Sequence, residues 1–178
     1  METIYLIRHC QAEGQAADAP LTPTGEVQAE ALGDFLAQFP IDTIVSSPYR
    51  RAVQSVEPLA KRLSQPIHIE PLFQERVLSD TSLPDWKLQL EQSFIDLDLR
   101  LVGGESSRDA MERGIKALEG MKKRGGQHVV VVTHGNLLTL LLKSFDERFG
   151  FNEWEQMANP DVFQVDVGRG EVMQLSMT

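Results

Sequence analysis

His9 and His134 each follow a short apolar run: Ile4-Tyr5-Leu6-Ile7 leads into Arg8-His9, and Val129-Val130-Val131-Val132 leads into Thr133-His134-Gly135. Arg8 puts a cation beside the first histidine. Arg50 and Arg51 follow a shorter run, Ile44-Val45-Ser46-Ser47. These residue types suit phosphoryl transfer. A neutral imidazole can attack phosphorus and carry the group as phosphohistidine. Arginine presents a planar fork of donors that matches phosphate oxygens. Charge on the equatorial oxygens of the transition state is what such cations stabilise. Neighbouring guanidinium groups also disfavour protonation of His9 and keep it nucleophilic near neutral pH. A carboxylic acid is still needed to protonate the leaving alkoxide.

The apolar runs say how these groups would meet. Short, continuous, β-branched runs are the pattern of strands buried on both faces of a parallel sheet. Ile44-Val45 and Ile67-His68-Ile69 are shorter candidates. His9, His134, Arg50 and Arg51 then gather at the C-terminal edge of the strands, where open α/β sheets bind ligands. The helix after Gly135 points its N-terminus at the same rim, which favours an anion. Singly, each residue has a plainer reading as a packing or solvent-facing side chain. Their coincidence on one edge is the informative feature. His68, inside a strand, and His128, at the opposite edge, read as structural.

Helical patterns lie between the strands. Thr22 and Pro23 form a cap-and-proline start, followed by Val27, Ala31, Phe35 and Phe39 at helical spacing. Ser47 and Pro48 repeat the signal ahead of Ala52, Val56, Leu59 and Leu63, with Pro58 expected to kink or interrupt that helix. A third helix starts near Ser106 and ends at Gly125-Gly126, a fourth spans about 136–145, and residues 162–167 and 171–177 read as a hairpin. Alternating strands and helices predict an α/β sandwich with a mostly parallel sheet. Residues 76–104 break the alternation and read as a lid-like insertion, in which Trp86 could stack on a ligand ring but is more often a small core anchor. No linker or repeat divides the chain, so 1–178 is expected to be one domain.

Composition narrows the function classes. The chain has 178 residues and a formal net charge of -9. Its one basic cluster, Lys122-Lys123-Arg124, precedes two glycines and suits a helix C-terminus, so nucleic acid is not expected as a partner. No run is long enough for a membrane span, and the N-terminus lacks the basic region of a signal peptide. The single cysteine, Cys10, rules out an internal disulfide, and a reducing cytoplasm is the expected compartment. Position 16 is Ala16, so the cysteine-phosphatase loop is missing; Asp96-Leu97-Asp98 follows no clear buried strand and reads as solvated acids. No P-loop, Gly-x-Gly-x-x-Gly, His-x-His or Cys-x-x-Cys pattern occurs. Neither metal nor cofactor is expected.

Five segments in order resemble the histidine phosphatases, the family that includes the cofactor-dependent phosphoglycerate mutases. They are Leu6-Ile7-Arg8-His9-Cys10-Gln11, Leu21-Thr22-Pro23-Thr24-Gly25 with Gln28-Ala29, Ser46-Ser47-Pro48-Tyr49-Arg50-Arg51-Ala52, Gly104-Glu105-Ser106 and Thr133-His134-Gly135. The resemblance implies a three-layer α/β/α sandwich and a metal-independent phosphatase acting on a small phosphorylated metabolite. It implies that His9 is the phosphorylated nucleophile and that Arg8, Arg51 and His134 hold the phosphoryl group. Arg51 is chosen over Arg50 because it directly precedes Ala52. Glu75 aligns with the general acid, and Gln15 stands where an asparagine helps bind phosphate. The sequence departs from the family at Cys10 (usually glycine), Ala12 (usually Ser or Thr) and Ser55 (commonly Thr), and it lacks the glycine and tryptophan that often follow the acid. Asp80 and Glu105 therefore stay open as proton donors. The alternatives are a phosphoglycerate mutase, which a short lid over the phosphohistidine disfavours, a phosphohistidine or phosphoprotein phosphatase, and a non-catalytic binder of phosphorylated ligands.

Overall fold

Helical crossovers return the chain to the same end of the sheet, and this makes its strands parallel. The computed structural model describes residues 1–177. Its strands are β1 (Thr3–Arg8), β2 (Thr43–Ser46), β3 (Ile67–Ile69), β4 (His128–Thr133), β5 (Asp161–Asp166) and β6 (Glu171–Leu175). They form one six-stranded sheet in the order β3-β2-β4-β1-β5-β6. The first four pair in parallel, and β5 and β6 add an antiparallel hairpin at one side. The helices are α1 (Pro23–Leu36), α2 (Arg50–Leu63), α3 (Trp86–Ile95), α4 (Ser107–Arg124), α5 (Gly135–Phe145) and α6 (Phe151–Gln156), with a 3-10 turn at Pro71–Phe73.

Alternate residues of the central strands feed opposite layers. Tyr5, Ile7, Val130 and Val132 pack with Leu32, Leu36, Val56 and Leu59 of α1 and α2. Ile4, Leu6, Val129 and Val131 pack with Leu118, Met121, Leu137 and Leu141 of α4 and α5. The result is the expected three-layer sandwich with a mostly parallel sheet. Thr22 caps α1 by accepting from Gly25 N, and Ser106 with Asp109 forms a capping box on α4.

Three details differ from expectation. Val27 is 70 % exposed, and α1 buries Gly25, Ala29, Leu32, Gly33 and Leu36 instead. Small residues win that face because the chain crosses it closely: a Cβ on Gly25 would lie 2.0 Å from the Gln11 carbonyl oxygen, and one on Gly33 would lie 3.1 Å from Leu59 N and Pro58. Pro58 does not interrupt α2, which runs from Arg50 to Leu63 with the proline buried against the Gly33 gap. The start of α2 is capped by Tyr49 rather than Ser47, because the Ser47 hydroxyl is engaged elsewhere, as described next.

Candidate active site

The register of β1 against β4 decides where the two histidines meet. Arg8 pairs with Thr133, so the next residues, His9 and His134, leave the sheet side by side. His9 N donates to Thr133 O at 3.1 Å, and the two rings lie 5.1 Å apart between centroids, edge to face. His9 Nδ1 is 2.6 Å from the Cys10 carbonyl oxygen. A carbonyl only accepts, so Nδ1 carries the proton and Nε2 keeps its lone pair. Arg51 Nε donates to that Nε2 at 3.1 Å, and Arg51 Nη1 donates to the carbonyls of Gln15 and Ala16 at 3.1 and 2.8 Å. One buried guanidinium thus ties α2, the 10–20 loop and the His9 ring together. Arg50, its neighbour, is exposed.

Ser55 fixes the turn after His9. Its hydroxyl accepts from Cys10 N at 2.8 Å and donates to Arg51 O at 2.6 Å. Ser55→Ala would leave a buried N–H unpaired, so a loss of about 1–3 kcal/mol in unfolding free energy is expected, measurable by urea titration; no loss would remove this link from the site. The backbone at Cys10 is not in the left-handed region, where Ser64 is the single non-glycine residue among those described. A glycine is therefore not required at position 10, and the Cys10 side chain fills the apolar layer beneath.

His134 is fully buried, and its Nε2 lies 2.7 Å from Ser47 Oγ. Tyr49 N donates to the same hydroxyl at 3.3 Å. The Ser47 proton is then free to go to His134 Nε2, which leaves Nδ1 as the protonated nitrogen. That Nδ1 has no partner among the described residues. Arg8 donates from Nη1 to Met157 O at 2.5 Å, and its Nε is likewise unpartnered. A Cβ on Gly135 would lie 3.1 Å from that Nε, so glycine lets the guanidinium approach the start of α5.

Glu75 sits where the sequence suggested that a bound anion would lie. Its Oε1 accepts from Arg76 N at 2.8 Å and Leu137 N at 2.9 Å, and its Oε2 accepts from Asn136 N at 3.1 Å. The N-terminus of α5 therefore holds the chain's own carboxylate. Glu75 lines a cavity of about 710 Å³ together with Arg8, His9, Gln15 and Arg51. Asp80 and Glu105 do not line it, and neither does the buried His134, which lies behind His9 and Tyr49. Glu105 is bound by Arg113 at 2.6 and 3.0 Å. Among the described residues no group of three His, Cys, Asp or Glu side chains is placed to hold a metal ion, and no helix is long and apolar enough to cross a membrane.

Burial is the largest influence on the His9 pKa and pushes it down from 6.5 to about 4, with Arg51 and Arg8 adding to the shift and the Cys10 hydrogen bond opposing it. The arginines thus act in the expected direction but rank behind desolvation. Burial also holds His134 well below the usual imidazole range. Between about pH 4 and 6.5 the unfolded chain binds the extra proton, so stability should rise with pH across that window and be lost as pH falls. For His9 alone the full change is about 3 kcal/mol. Denaturation at stepped pH reads it; a slope that is unchanged in His9→Ala would contradict it.

The Histidine phosphatase superfamily (branch 1) model matches residues 4–175. The chain belongs to the histidine phosphatase superfamily. A probable phosphatase of Schizosaccharomyces pombe is 24 % identical over 157 residues, covering 80 % of this chain and 56 % of that protein. The chain therefore spans about half the length of that relative. A 2,3-bisphosphoglycerate-dependent phosphoglycerate mutase of Cytophaga hutchinsonii is 22 % identical over 196 residues, covering 96 % and 85 %. A mycobacterial glucosyl-3-phosphoglycerate phosphatase, solved with inorganic phosphate, superposes with a TM-score of 0.78 at 22 % identity, covering 98 % of this chain and 95 % of that one.

Within this histidine phosphatase the geometry brings in residues that sequence patterns did not single out. Asn159 Nδ2 donates to the His9 carbonyl at 2.7 Å from the loop before β5. Asn136 lines the cavity with its Oδ1 buried and, among the described residues, unpartnered. Ser47 stood in a quoted motif, yet nothing in its type distinguished a histidine partner from a helix cap. Trp86 lines the cavity and is 49 % exposed, which corrects its reading as a core anchor.

Proposed function

We propose that this histidine phosphatase hydrolyses a small phosphomonoester, without a metal ion, through a phosphohistidine on His9. Arg51 Nε exchanges its hydrogen bond with His9 Nε2 for one to a phosphoryl oxygen, the freed Nε2 lone pair attacks phosphorus, the N–P bond forms, and the P–O bond to the leaving group breaks. Arg8, Arg51, His134 and the Gln15 amide hold the phosphoryl oxygens and stabilise the charge that builds there. Glu75 supplies the proton to the departing alkoxide. Its Oε2 accepts one hydrogen bond against two at Oε1, so Oε2 has the spare capacity to carry that proton. In the second half the Glu75 carboxylate takes a proton from water as the oxygen attacks phosphorus. The N–P bond breaks, releasing inorganic phosphate and the neutral imidazole.

The observation that carries this reading is the Nε2 lone pair of His9 meeting Arg51 Nε at 3.1 Å, in a cavity whose lining carboxylate is Glu75. Residues 76–104 contribute Val77, Leu78, Ser79, Trp86 and Leu90 to that cavity and serve as its lid within a single domain. A buried cysteine whose thiol pKa is pushed up to about 11 by desolvation suits a cytoplasmic protein. The phosphoglycerate mutase among the relatives names the second reading, which needs a bisphosphorylated activator. Hydrolysis of p-nitrophenyl phosphate in excess EDTA, with no activator added, tests the proposal. Sustained turnover is expected; loss of turnover on chelation, or a requirement for 2,3-bisphosphoglycerate, would overturn it.

A further inference from the structure

The cavity has an apolar share in its lining. Trp86, at the start of α3, and Trp154, on α6, line it with Val77, Leu78 and Leu90. The two indoles stand edge to face, 6.2 Å apart and 83° between planes. Trp154 Nε1 comes within 3.3 Å of where a Cβ on Gly135 would lie, so the wall begins at the same helix end that holds Glu75. Lys87 is paired with Glu155 beside the indoles and does not line the cavity.

The charges in the cavity are already in use. Arg8 and Arg51 adjoin His9. The third lining cation, Arg76, is 5 % exposed and turns its guanidinium into the joint between α3 and α4. Its Nη1 donates to Ser93 and Ser107 at 2.7 and 2.8 Å, and its Nε donates to Glu105 O at 3.2 Å. Its Nη2 is buried without a partner among the described residues. No accessible guanidinium is left among the lining residues to meet a second carboxylate or phosphate. A cavity of about 710 Å³ is also far larger than a phosphoryl group fills.

Resting on the phosphomonoesterase reading above, we propose that the substrate is a phosphomonoester of an uncharged, apolar or aromatic alcohol, with Trp86 and Trp154 as the wall that selects it. Ring-on-ring contact of this kind is worth about a tenfold preference.

Two measurements test this. The chain has two tryptophans, and both line the cavity, so fluorescence excited selectively at tryptophan reports on the wall. Phenylphosphonate should quench it at concentrations about tenfold lower than methylphosphonate needs. Equal titrations would overturn the proposal, whether or not the protein turns anything over. In steady state, kcat/KM should favour 2-phenylethyl phosphate, whose leaving group is also an alkoxide, over 3-phosphoglycerate. Trp86→Ala should lower the ratio of kcat/KM for 2-phenylethyl phosphate to that for glycerol 2-phosphate by about tenfold, while Trp86→Phe should restore most of it. A preference for 3-phosphoglycerate, or an unchanged ratio in Trp86→Ala, would sink the aromatic wall while leaving the phosphohistidine route intact. Phenylphosphonate binding without any hydrolysis would sink the phosphomonoesterase reading and keep the wall as a ligand site.

Discussion

Glu75→Gln should lower kcat for glycerol 2-phosphate by about 10²–10⁴-fold, the usual contribution of a general acid, and lower it far less for p-nitrophenyl phosphate. The difference follows from the leaving groups. An alkoxide cannot depart without a proton, whereas p-nitrophenolate leaves as a stable anion. Glutamine keeps the length and its single amide oxygen can still accept from Arg76 N and Leu137 N, but its NH2 would face Asn136 N, so a loss of stability common to both substrates is expected beside the leaving-group-dependent loss of rate. Glu105→Gln is the control: Glu105 is held by Arg113 away from the cavity, and its loss should not depend on the leaving group. Equal losses on both substrates in Glu75→Gln would make the carboxylate a structural cap of α5 rather than an acid.

His9→Ala should abolish turnover by roughly 10⁵-fold, as removal of a covalent nucleophile does, on every phosphomonoester regardless of its leaving group. The variant removes a ring in contact with His134 and an acceptor from Arg51 Nε, yet Arg51 keeps its bonds to the Gln15 and Ala16 carbonyls. Inorganic phosphate should therefore still protect the variant against thermal unfolding. In the wild type, kcat/KM should fall toward acid as His9 takes up a proton, with a midpoint near its depressed pKa of about 4. A midpoint near 6.5 would mean that burial does not shift His9 as described.

The parts of this molecule that sequence made legible are those where one local rule decides the outcome. The valines of β4 and the aliphatics of β1 are continuous because both faces of those strands are covered, and this alone placed His9 and His134 at one edge. Thr22 with Pro23 and Ser106 mark helix starts through short-range hydrogen bonds. What was not legible depends on contacts between distant segments. The stripe through Val27 has the right period, but α1 turns Gly25 and Gly33 inward because Gln11 and Pro58 pass so close. Ser47 reads as a cap until the β2–β4 register, Ser46 opposite Val132, brings it to His134. Helices α3 and α6 have weak or short patterns, so the meeting of Trp86 and Trp154 at the cavity could not be read from either segment alone. Glu75 was reached by resemblance; the reason for its position, the N–H groups of Asn136 and Leu137 at its carboxylate, lies across 61 and 62 residues of chain.

The most direct test is to mix substrate with enzyme in EDTA, quench in alkali within the first turnover, and map the phosphoryl group by mass spectrometry. Phosphohistidine survives alkali and is lost in acid. An acid-labile adduct on the peptide carrying His9, missing from His9→Ala and longer-lived in Glu75→Gln, is expected. Turnover with no adduct at His9, or with the phosphoryl group on another residue, would contradict the phosphohistidine route.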